Sequence, residues 1–298
     1  MRRLRLFLGV LLGVVLVVVA WGWQRVGRID VERVAPDLYL LTGVGGNTSV
    51  LVTDEGVVVV DTMTFVRQGA AILARIRELT DKPVVTILNT HYHLDHTHGN
   101  PAFAPGTRVV STTNTLRHLR ELDAAFWAGA PARDLLPNDT FEGAHELHVG
   151  GKTVQAFHRG RGHTDGDLVV LFVEDRVLVA GDLFFNGYWP NIDLEAGGSV
   201  REWPQTIENL LPLAFDRVIP GHGSLSDREG FRRFQAFMTS LWTQTKAVAD
   251  RGGSLDDALA TVDLRRFDLH RLWFAPYLDR KFVIRRAFEE AAGPGRSH

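Results

Sequence analysis

Four side chains that commonly bind metal ions lie within six residues, directly after an apolar run that predicts a buried strand. The run is Val84–Leu88, and the side chains are His91, His93, Asp95 and His96. His91 and His93 are two residues apart, so in an extended segment they point to the same side. Asp95 and His96 follow after the chain turns, so they can face a second point. One short loop could therefore address two neighbouring cations, and the fold must bring the end of this strand to a metal site.

Three more candidate ligands lie far along the chain, each just beyond the end of a predicted strand. They are His163 after 153–157, Asp182 after 177–179 and His222 after 218–219. A glycine stands beside each of them, and glycine lets the backbone approach a ligand closely. One such residue alone is more often a turn or capping residue. All three together, added to the histidine-rich loop, form a specific set.

The absence of cysteine from the 298 residues limits the kinds of metal site that the chain can form. Disulfides, thiolate catalysis and cysteine-containing zinc sites are excluded. Twelve histidines are available instead, and imidazole and carboxylate ligands with an open position are typical of catalytic zinc. The formal net charge of -2 shows no basic excess, so no nucleic-acid partner is expected.

Apolar runs and helical spacings predict a fold of the α/β (α+β) class. Strands, a helix, strands and a helix follow one another twice, which predicts two β-rich halves with helices outside. The run 57–60 is apolar throughout, as a strand covered on both faces would be. Predicted strands span 31–35, 38–42, 47–53, 57–60, 84–88, 108–110, 153–157, 168–173, 177–179 and 218–219. Helices are predicted over 65–79, 114–122 and 199–211 and from residue 227 onward, and 123–143 is expected to form a long loop that could hold a helical turn.

These motifs resemble those of the metallo-β-lactamase fold superfamily of metal-dependent hydrolases. The resemblance covers roughly residues 31–222, and it implies a four-layered αβ/βα sandwich with the metal ions at one edge of the two sheets. It also implies two zinc ions per chain that share a water molecule or hydroxide. The implied ligands are His91, His93 and His163 for the first ion, Asp95, His96 and His222 for the second, and Asp182 as a bridge between both.

The function that this resemblance implies is that of a binuclear zinc-dependent hydrolase. A metal-bridging hydroxide would cleave a small ester, thioester, lactone or β-lactam. Asp95 is the expected catalytic residue, because it is a ligand and also the nearest carboxylate able to accept a proton from the attacking water. The best-known zinc β-lactamases have a cysteine at the position of Asp182 or lack a bridging carboxylate there. In that respect the chain is more similar to the lactonase, thioesterase and phosphodiesterase branches.

Two alternatives stay open within the same fold. A mononuclear iron oxygenase would leave the second metal position empty, although Asp95, His96 and His222 are all present to fill it. A phosphodiesterase would use the same two metal ions on a phosphorus centre. A nuclease is disfavoured by the net charge and by the export signal described below. A non-catalytic binding module is disfavoured because all seven implied ligands are present.

Three further residues are candidates for supporting roles. Asp61 ends a buried strand, where it could orient a ligand imidazole or simply close a turn. Tyr188 and Trp189 follow Asp182 closely and could contact the substrate, Tyr188 through its hydroxyl.

The sequence of the first 25 residues predicts a segment that is separate from the folded domain. Arginines precede an uncharged apolar run over 6–23, with Trp21 and Trp23 near its end. This order is typical of a signal peptide or a membrane anchor in the form of a hydrophobic helix. The rest of the chain is then expected to be exported, either to the periplasm or to the outer face of the cytoplasmic membrane. The expected partners are a small-molecule substrate and, if the segment is not cleaved, the membrane.

The sequence thus predicts three parts. Residues 1–25 form the signal peptide or anchor, residues 31–225 a catalytic domain, and residues 227–292 a helical C-terminal extension packed on that domain. Trp273 and Tyr277 in the extension could cover the cleft, and no pattern in the sequence places them. The oligomeric state is left open.

Overall fold

A computed structural model shows two β-sheets packed face to face between layers of helices. The structure describes Gly22 and residues 26–293. The signal peptide or anchor predicted over 1–25 lies, apart from Gly22, outside the described residues. Within the part of the chain that is described, no helix is long and apolar enough to cross a bilayer.

The first sheet contains seven strands in sequence order. They are β1 (Asp30–Ala35), β2 (Leu38–Thr42), β3 (Thr48–Val52), β4 (Val57–Val60), β5 (Val84–Leu88), β6 (Arg108–Thr112) and β7 (Asp139–Phe141). β1 to β4 are antiparallel, and β4 to β7 run parallel. Parallel neighbours need crossover connections. These contain α1 (Val66–Leu79), α2 (Leu94–Thr97), α3 (Thr113–Glu121) and α4 (Ala124–Trp127).

The second sheet contains six strands in the order β13-β12-β11-β10-β9-β8. They are β8 (Ala144–Val149), β9 (Lys152–Phe157), β10 (Val169–Phe172), β11 (Val177–Phe185), β12 (Arg217–His222) and β13 (Ser226–Asp227). β11 and β12 are parallel, and α5 (Trp203–Leu210) lies in the crossover between them. The chain then continues through α6 (Arg228–Asp250), α7 (Leu255–Thr261) and α8 (Arg280–Ala292).

The apolar run of β4 shows why this strand is buried on both faces. Side chains alternate along a strand. Val58 and Val60 face the core between the two sheets, whereas Val57 and Val59 pack in a second core with Ile72 of α1. The helix and the second sheet therefore cover opposite faces of the first sheet.

The helices after β13 cover the outer face of the second sheet. Phe231 and Phe234 of α6 and Ile284 of α8 pack in one core with Leu178 and Val218 from the strands. The layers are thus helix, sheet, sheet and helix, and the predicted αβ/βα sandwich is confirmed. Because these helices share a core with the second sheet, the division into parts 31–225 and 227–292 remains a prediction.

The structure differs from the predicted elements in several places. β7 and β8 were not predicted, because β7 has three residues and β8 is an edge strand with a mostly exposed, polar sequence. β11 extends to Phe185, beyond the predicted 177–179, because its ladder continues through a bulge at Gly181. Between 123 and 143 the structure has the helical turn that the sequence allowed, as α4, and also the short 3-10 turn Arg133–Leu135 and the strand β7, which were not expected.

Candidate metal centre

The seven candidate ligands meet at one end of the two sheets. His91 and His93 lie in the loop after β5, and His163 lies in the loop between β9 and β10. Asp182 lies within β11, and His222 is the last residue of β12. Both sheets therefore contribute side chains to the same place.

A bulge in β11 lies directly before Asp182. The register between β11 and β12 shifts at Gly181, whose φ is 52°, a value that favours glycine. A Cβ atom on Gly181 would lie 2.7 Å from the side chain of Thr90, so no larger residue fits. Bulges of this kind re-aim the side chains beside them, so the bulge helps to direct Asp182 toward the other candidate ligands.

The first ligand group contains three imidazoles and one carboxylate. His91, His93, His163 and Asp182 each offer one atom, and these atoms all lie within 4.8 Å of one another. Nε2 of His163 lies 2.7 Å from Nδ1 of His93. Oδ2 of Asp182 lies 3.6 Å from Nε2 of His163 and 3.8 Å from Nε2 of His91. Four such donors around one point fit a tetrahedral cation.

The second ligand group contains Asp95, His96 and His222. Nε2 of His222 lies 3.3 Å from Oδ2 of Asp95. The other oxygen of Asp182, Oδ1, lies 3.1 Å from Nε2 of His96 and 3.4 Å from Nε2 of His222. Asp182 therefore presents one oxygen to each group, as a carboxylate that bridges two cations would.

Three buried atoms of this centre lack hydrogen-bond partners. They are Nε2 of His91, Nε2 of His96 and Oδ1 of Asp182. Buried polar atoms are almost always paired, and all three atoms belong to the two ligand groups. Cations between the donors would satisfy them, and imidazole nitrogen with carboxylate oxygen is a donor set that zinc accepts. The residues present therefore fit two metal ions.

Asp61 holds the ring of His96 in the second group. Its Oδ1 accepts a hydrogen bond from the backbone N–H of Thr90 at 2.8 Å, and its Oδ2 accepts one from the Thr90 hydroxyl at 2.7 Å. Oδ2 also lies 2.8 Å from Nδ1 of His96. A carboxylate at Nδ1 keeps the ring proton there and leaves Nε2 free to bind a cation.

Asp193 has the matching position in the first group. Its Oδ2 lies 2.9 Å from Nε2 of His93 and accepts a hydrogen bond from the hydroxyl of Tyr92. This contact leaves Nδ1 of His93 facing the ligand group, close to His163. Sequence reasoning assigned no role to Asp193, because no local pattern links it to a histidine 100 residues earlier.

The imidazoles of the two groups differ in protonation before a cation binds. Burial lowers the pKa of His91 well below its ordinary value and lowers that of His163 to about 4. Burial also acts to lower the pKa of His222 and His96, but the carboxylates around them, Asp182 foremost, outweigh it. The pKa of His222 rises to about 9, and that of His96 rises well above its ordinary value. At neutral pH a cation would displace protons from the second group but not from His91 or His163.

A cavity of about 410 Å³ opens onto both groups. His93, Asp95, Asp182 and His222 are among the residues that line it. Most of the other lining residues are apolar: Val44, Phe65, Leu94, Phe185, Leu272, Phe274, Ala275, Tyr277 and Leu278. Among the described residues, no lysine or arginine lines this cavity. Convergent polar groups beside an apolar wall are typical of a site for a small organic ligand.

Tyr188 and Trp189 are not among the lining residues of this cavity. Tyr188 forms a backbone bridge with His270, and the ring of Trp189 packs against Phe237 with centroids 6.0 Å apart. Both side chains pack on the helical side of the second sheet, where they support the fold. Tyr277 lines the cavity beside the metal centre, which is the position that the sequence suggested for Tyr188.

The sequence model that describes the metallo-beta-lactamase superfamily matches residues 41–222 of this chain. The matched span contains all seven candidate ligands and more than half of the chain. The chain belongs to this superfamily. The predicted family and the prediction of a metal-dependent hydrolase are thereby confirmed.

Relatives within the superfamily carry names that point to different substrates. The chain is 31% identical over 253 residues to the 2,4-dinitroanisole O-demethylase subunit alpha of Nocardioides sp. (strain JS1661), covering 83% of this chain and 70% of that protein. It is 27% identical over 216 residues to the metallo-beta-lactamase type 2 of Bacillus sp. (strain 170), and this alignment covers 69% of this chain and 80% of that protein. A double mutant of a sec-alkyl sulfatase aligns with a TM-score of 0.71 at 18% identity, over 88% of this chain and 50% of its own. That last likeness shows the fold alone.

Proposed function

We propose that the chain is a binuclear zinc hydrolase that cleaves a small ester, thioester, lactone or β-lactam with an apolar part. The observation that carries this proposal is the position of Asp182, whose two oxygens face two separate groups of ligand atoms. A mononuclear iron oxygenase would need only the first group. It would leave Asp95, His96 and His222 as a buried polar cluster without a role.

Two zinc ions in these groups would polarise a carbonyl oxygen and supply a reactive water near neutral pH. Asp95 is the carboxylate that can reach the substrate, because its side chain is 22% exposed and lines the cavity, whereas that of Asp182 is 4% exposed. Burial acts to raise the pKa of Asp95, but His96 and His222 outweigh it and lower the pKa to about 2. Asp95 is therefore ionised at neutral pH, so it can accept a proton from the attacking water and pass that same proton to the leaving atom.

The lining of the cavity favours an uncharged substrate. Leu272, Phe274 and Leu278 give it an apolar wall that can hold an acyl or alkyl group. No lysine or arginine of the described residues lines the cavity to pair with a carboxylate or a sulfate on the substrate. We therefore expect neutral esters and lactones to be better substrates than a cephalosporin, which carries a carboxylate.

A substrate panel on the zinc-loaded full chain tests this proposal. It contains neutral p-nitrophenyl esters, homoserine lactones, glutathione thioesters, a chromogenic cephalosporin and phosphodiesters. Turnover of a carbonyl substrate with close to two zinc per chain is expected. Turnover of phosphodiesters alone would replace the proposal with a phosphodiesterase, and one iron per chain with oxygen consumption would replace it with an oxygenase.

The matched variants are Asp182→Ala and Asp175→Ala. Asp175 is another largely buried aspartate, paired with Lys152 at 3.2 Å in the turn before β11. Asp182→Ala is expected to abolish turnover while the circular dichroism signal of helices and sheets stays unchanged, and Asp175→Ala is expected to keep turnover. Full activity of Asp182→Ala would mean that a bridging carboxylate is not needed.

A further inference from the structure

Large apolar side chains exposed to solvent are concentrated at the mouth of the metal cavity. Among the described residues seven such side chains are exposed, and five of them either line the cavity or are chain neighbours of lining residues. Phe65, Leu94 and Tyr277 line the cavity, and Val66 and Trp273 each adjoin a lining residue in the chain. We call these five residues the rim. Clustered exposed apolar side chains usually mark a contact surface.

The described chain enters the fold beside this rim. Arg28 and Trp273 line one surface cleft together with Val44, which also lines the metal cavity. Gly27 lies against the start of α1, because a Cβ atom there would be 3.0 Å from Nε of Arg67. Arg67 directly follows Phe65 and Val66, so Gly27 lies near one part of the rim (Phe65, Val66 and Leu94) and Arg28 near the other (Trp273 and Tyr277). Positions 27 and 28 therefore lie between the two parts of the rim.

Only a short stretch of sequence separates the apolar run of the N-terminal segment from this place. The run over 6–23 ends five residues before Arg28. Five extended residues reach at most about 18 Å, whereas a domain of this size is roughly 45 Å across. A bilayer that contained the run would therefore meet the side of the fold that carries the rim.

We propose that the rim rests on the surface of a lipid bilayer in which residues 6–23 are embedded, so that the metal cavity opens toward the membrane interface. Trp273 and Tyr277 are the most exposed rim residues, at 74% and 64%. Tryptophan and tyrosine are the side chains that favour the boundary between lipid and water. The proposal concerns the orientation of the protein and does not depend on the bond that the enzyme cleaves.

Single-cysteine labelling tests this orientation, because the natural chain contains no cysteine. The variants Trp273→Cys and Tyr277→Cys place a fluorophore on the rim. The control is Glu55→Cys, at an exposed position in the turn before β4. The other end of β4 leads to Asp61 and the metal centre, so the control lies at the far end of the sheet. Each full-length variant is placed in nanodiscs whose lipids carry a nitroxide at the headgroup.

Quenching by the lipid nitroxide is expected to be several-fold stronger at both rim positions than at Glu55→Cys. Equal quenching at the three positions would overturn the proposal. Rim labels shielded from the nitroxide and also from aqueous iodide would overturn it as well, since the rim would then be covered by protein. The covering element would be a second copy if the disc holds two chains, and the run 6–23 itself if it holds one. Thermal unfolding of the variants checks that substitution at these exposed positions leaves the fold intact.

Discussion

Replacing Asp61 with asparagine is expected to weaken metal binding in the second group and to leave the first group intact. Oδ1 of Asp61 accepts a hydrogen bond from the N–H of Thr90, so the carbonyl oxygen of the asparagine would keep that position. Its amide nitrogen would then face Nδ1 of His96, where Oδ2 lies now. An amide that donates to Nδ1 moves the ring proton to Nε2, the atom that faces Asp182.

The size of the effect follows from the hydrogen bond that is lost. A hydrogen bond to a charged group contributes about 1.5–3 kcal/mol. At about 1.4 kcal/mol for each tenfold change, this loss weakens the second metal site by about 10- to 150-fold. Measured effects of such outer partners of metal ligands are about 10- to 100-fold. At a zinc concentration that just fills both sites of the natural protein, the variant should therefore retain the zinc of the first site and lose most of that of the second.

The assay is a zinc titration of the metal-free chain in competition with a chromophoric chelator, which yields a dissociation constant for each site. Asp193→Asn is the matched control, because it removes the carboxylate that contacts His93 in the first group. It should weaken the first site instead of the second. Unchanged affinity of both sites in Asp61→Asn, or the same loss at both sites in either variant, would refute the reasoning.

Three further predictions concern pH, packing and metal removal. Between pH 6 and 8 the zinc affinity of the second site should rise by about tenfold per pH unit for each displaced proton, because the pKa of His222 is about 9, whereas His163, whose pKa is about 4, should add no pH dependence to the first site. Calorimetry in two buffers that differ in ionisation enthalpy counts the protons released, and a second site that releases no more protons than the first would be inconsistent with these pKa values. Gly46→Ala should displace the ring of His96, because its Cβ would lie 2.4 Å from that ring, and a misplacement of this kind should reduce turnover about 100-fold. A Cβ at Gly129 would have no atom within 4 Å, so Gly129→Ala should behave as the natural protein, and equal activity of the two variants would disprove the close approach. Chelation of zinc should lower the melting temperature. A ligand present at a thousand times its Kd stabilises the folded state by about 4 kcal/mol, which corresponds to about 8–16 °C in the melting temperature of a domain of this size. A melting temperature that chelation does not change would show that the metal ions do not stabilise the fold.

The parts of the fold that the sequence predicts well are those with a strong local signal. β4 and β5 have the predicted bounds, because their β-branched apolar runs are enclosed by turn residues. β8 was missed because an edge strand with one buried residue has no such signal. β11 was predicted too short because glycine and aspartate at positions 181 and 182 are typical of a turn, whereas here they lie at a bulge inside the strand.

The seven candidate ligands were also accessible to sequence reasoning, because each lies at or near the end of an apolar run that predicts a strand, and the family resemblance implied their division into two groups. The structure brings together all seven residues that the resemblance implied, and their binding of zinc stays a prediction. The cavity wall was not accessible in this way. Leu272 and Tyr277 belong to the segment between α7 and α8, and only the packing of the final helices brings that segment to the metal centre. Asp193 was missed for the same reason, because its contact with His93 depends on the whole fold.

Diffraction from crystals of the zinc-loaded protein on both sides of the zinc absorption edge tests the central claim most directly. The account predicts two anomalous peaks per chain. One should lie about 2.0–2.2 Å from ligand atoms of His91, His93 and His163, and the other at a similar distance from those of Asp95, His96 and His222. Asp182 should bind both ions, one through each oxygen. A single peak, or two peaks of which only one contacts Asp182, would contradict the account.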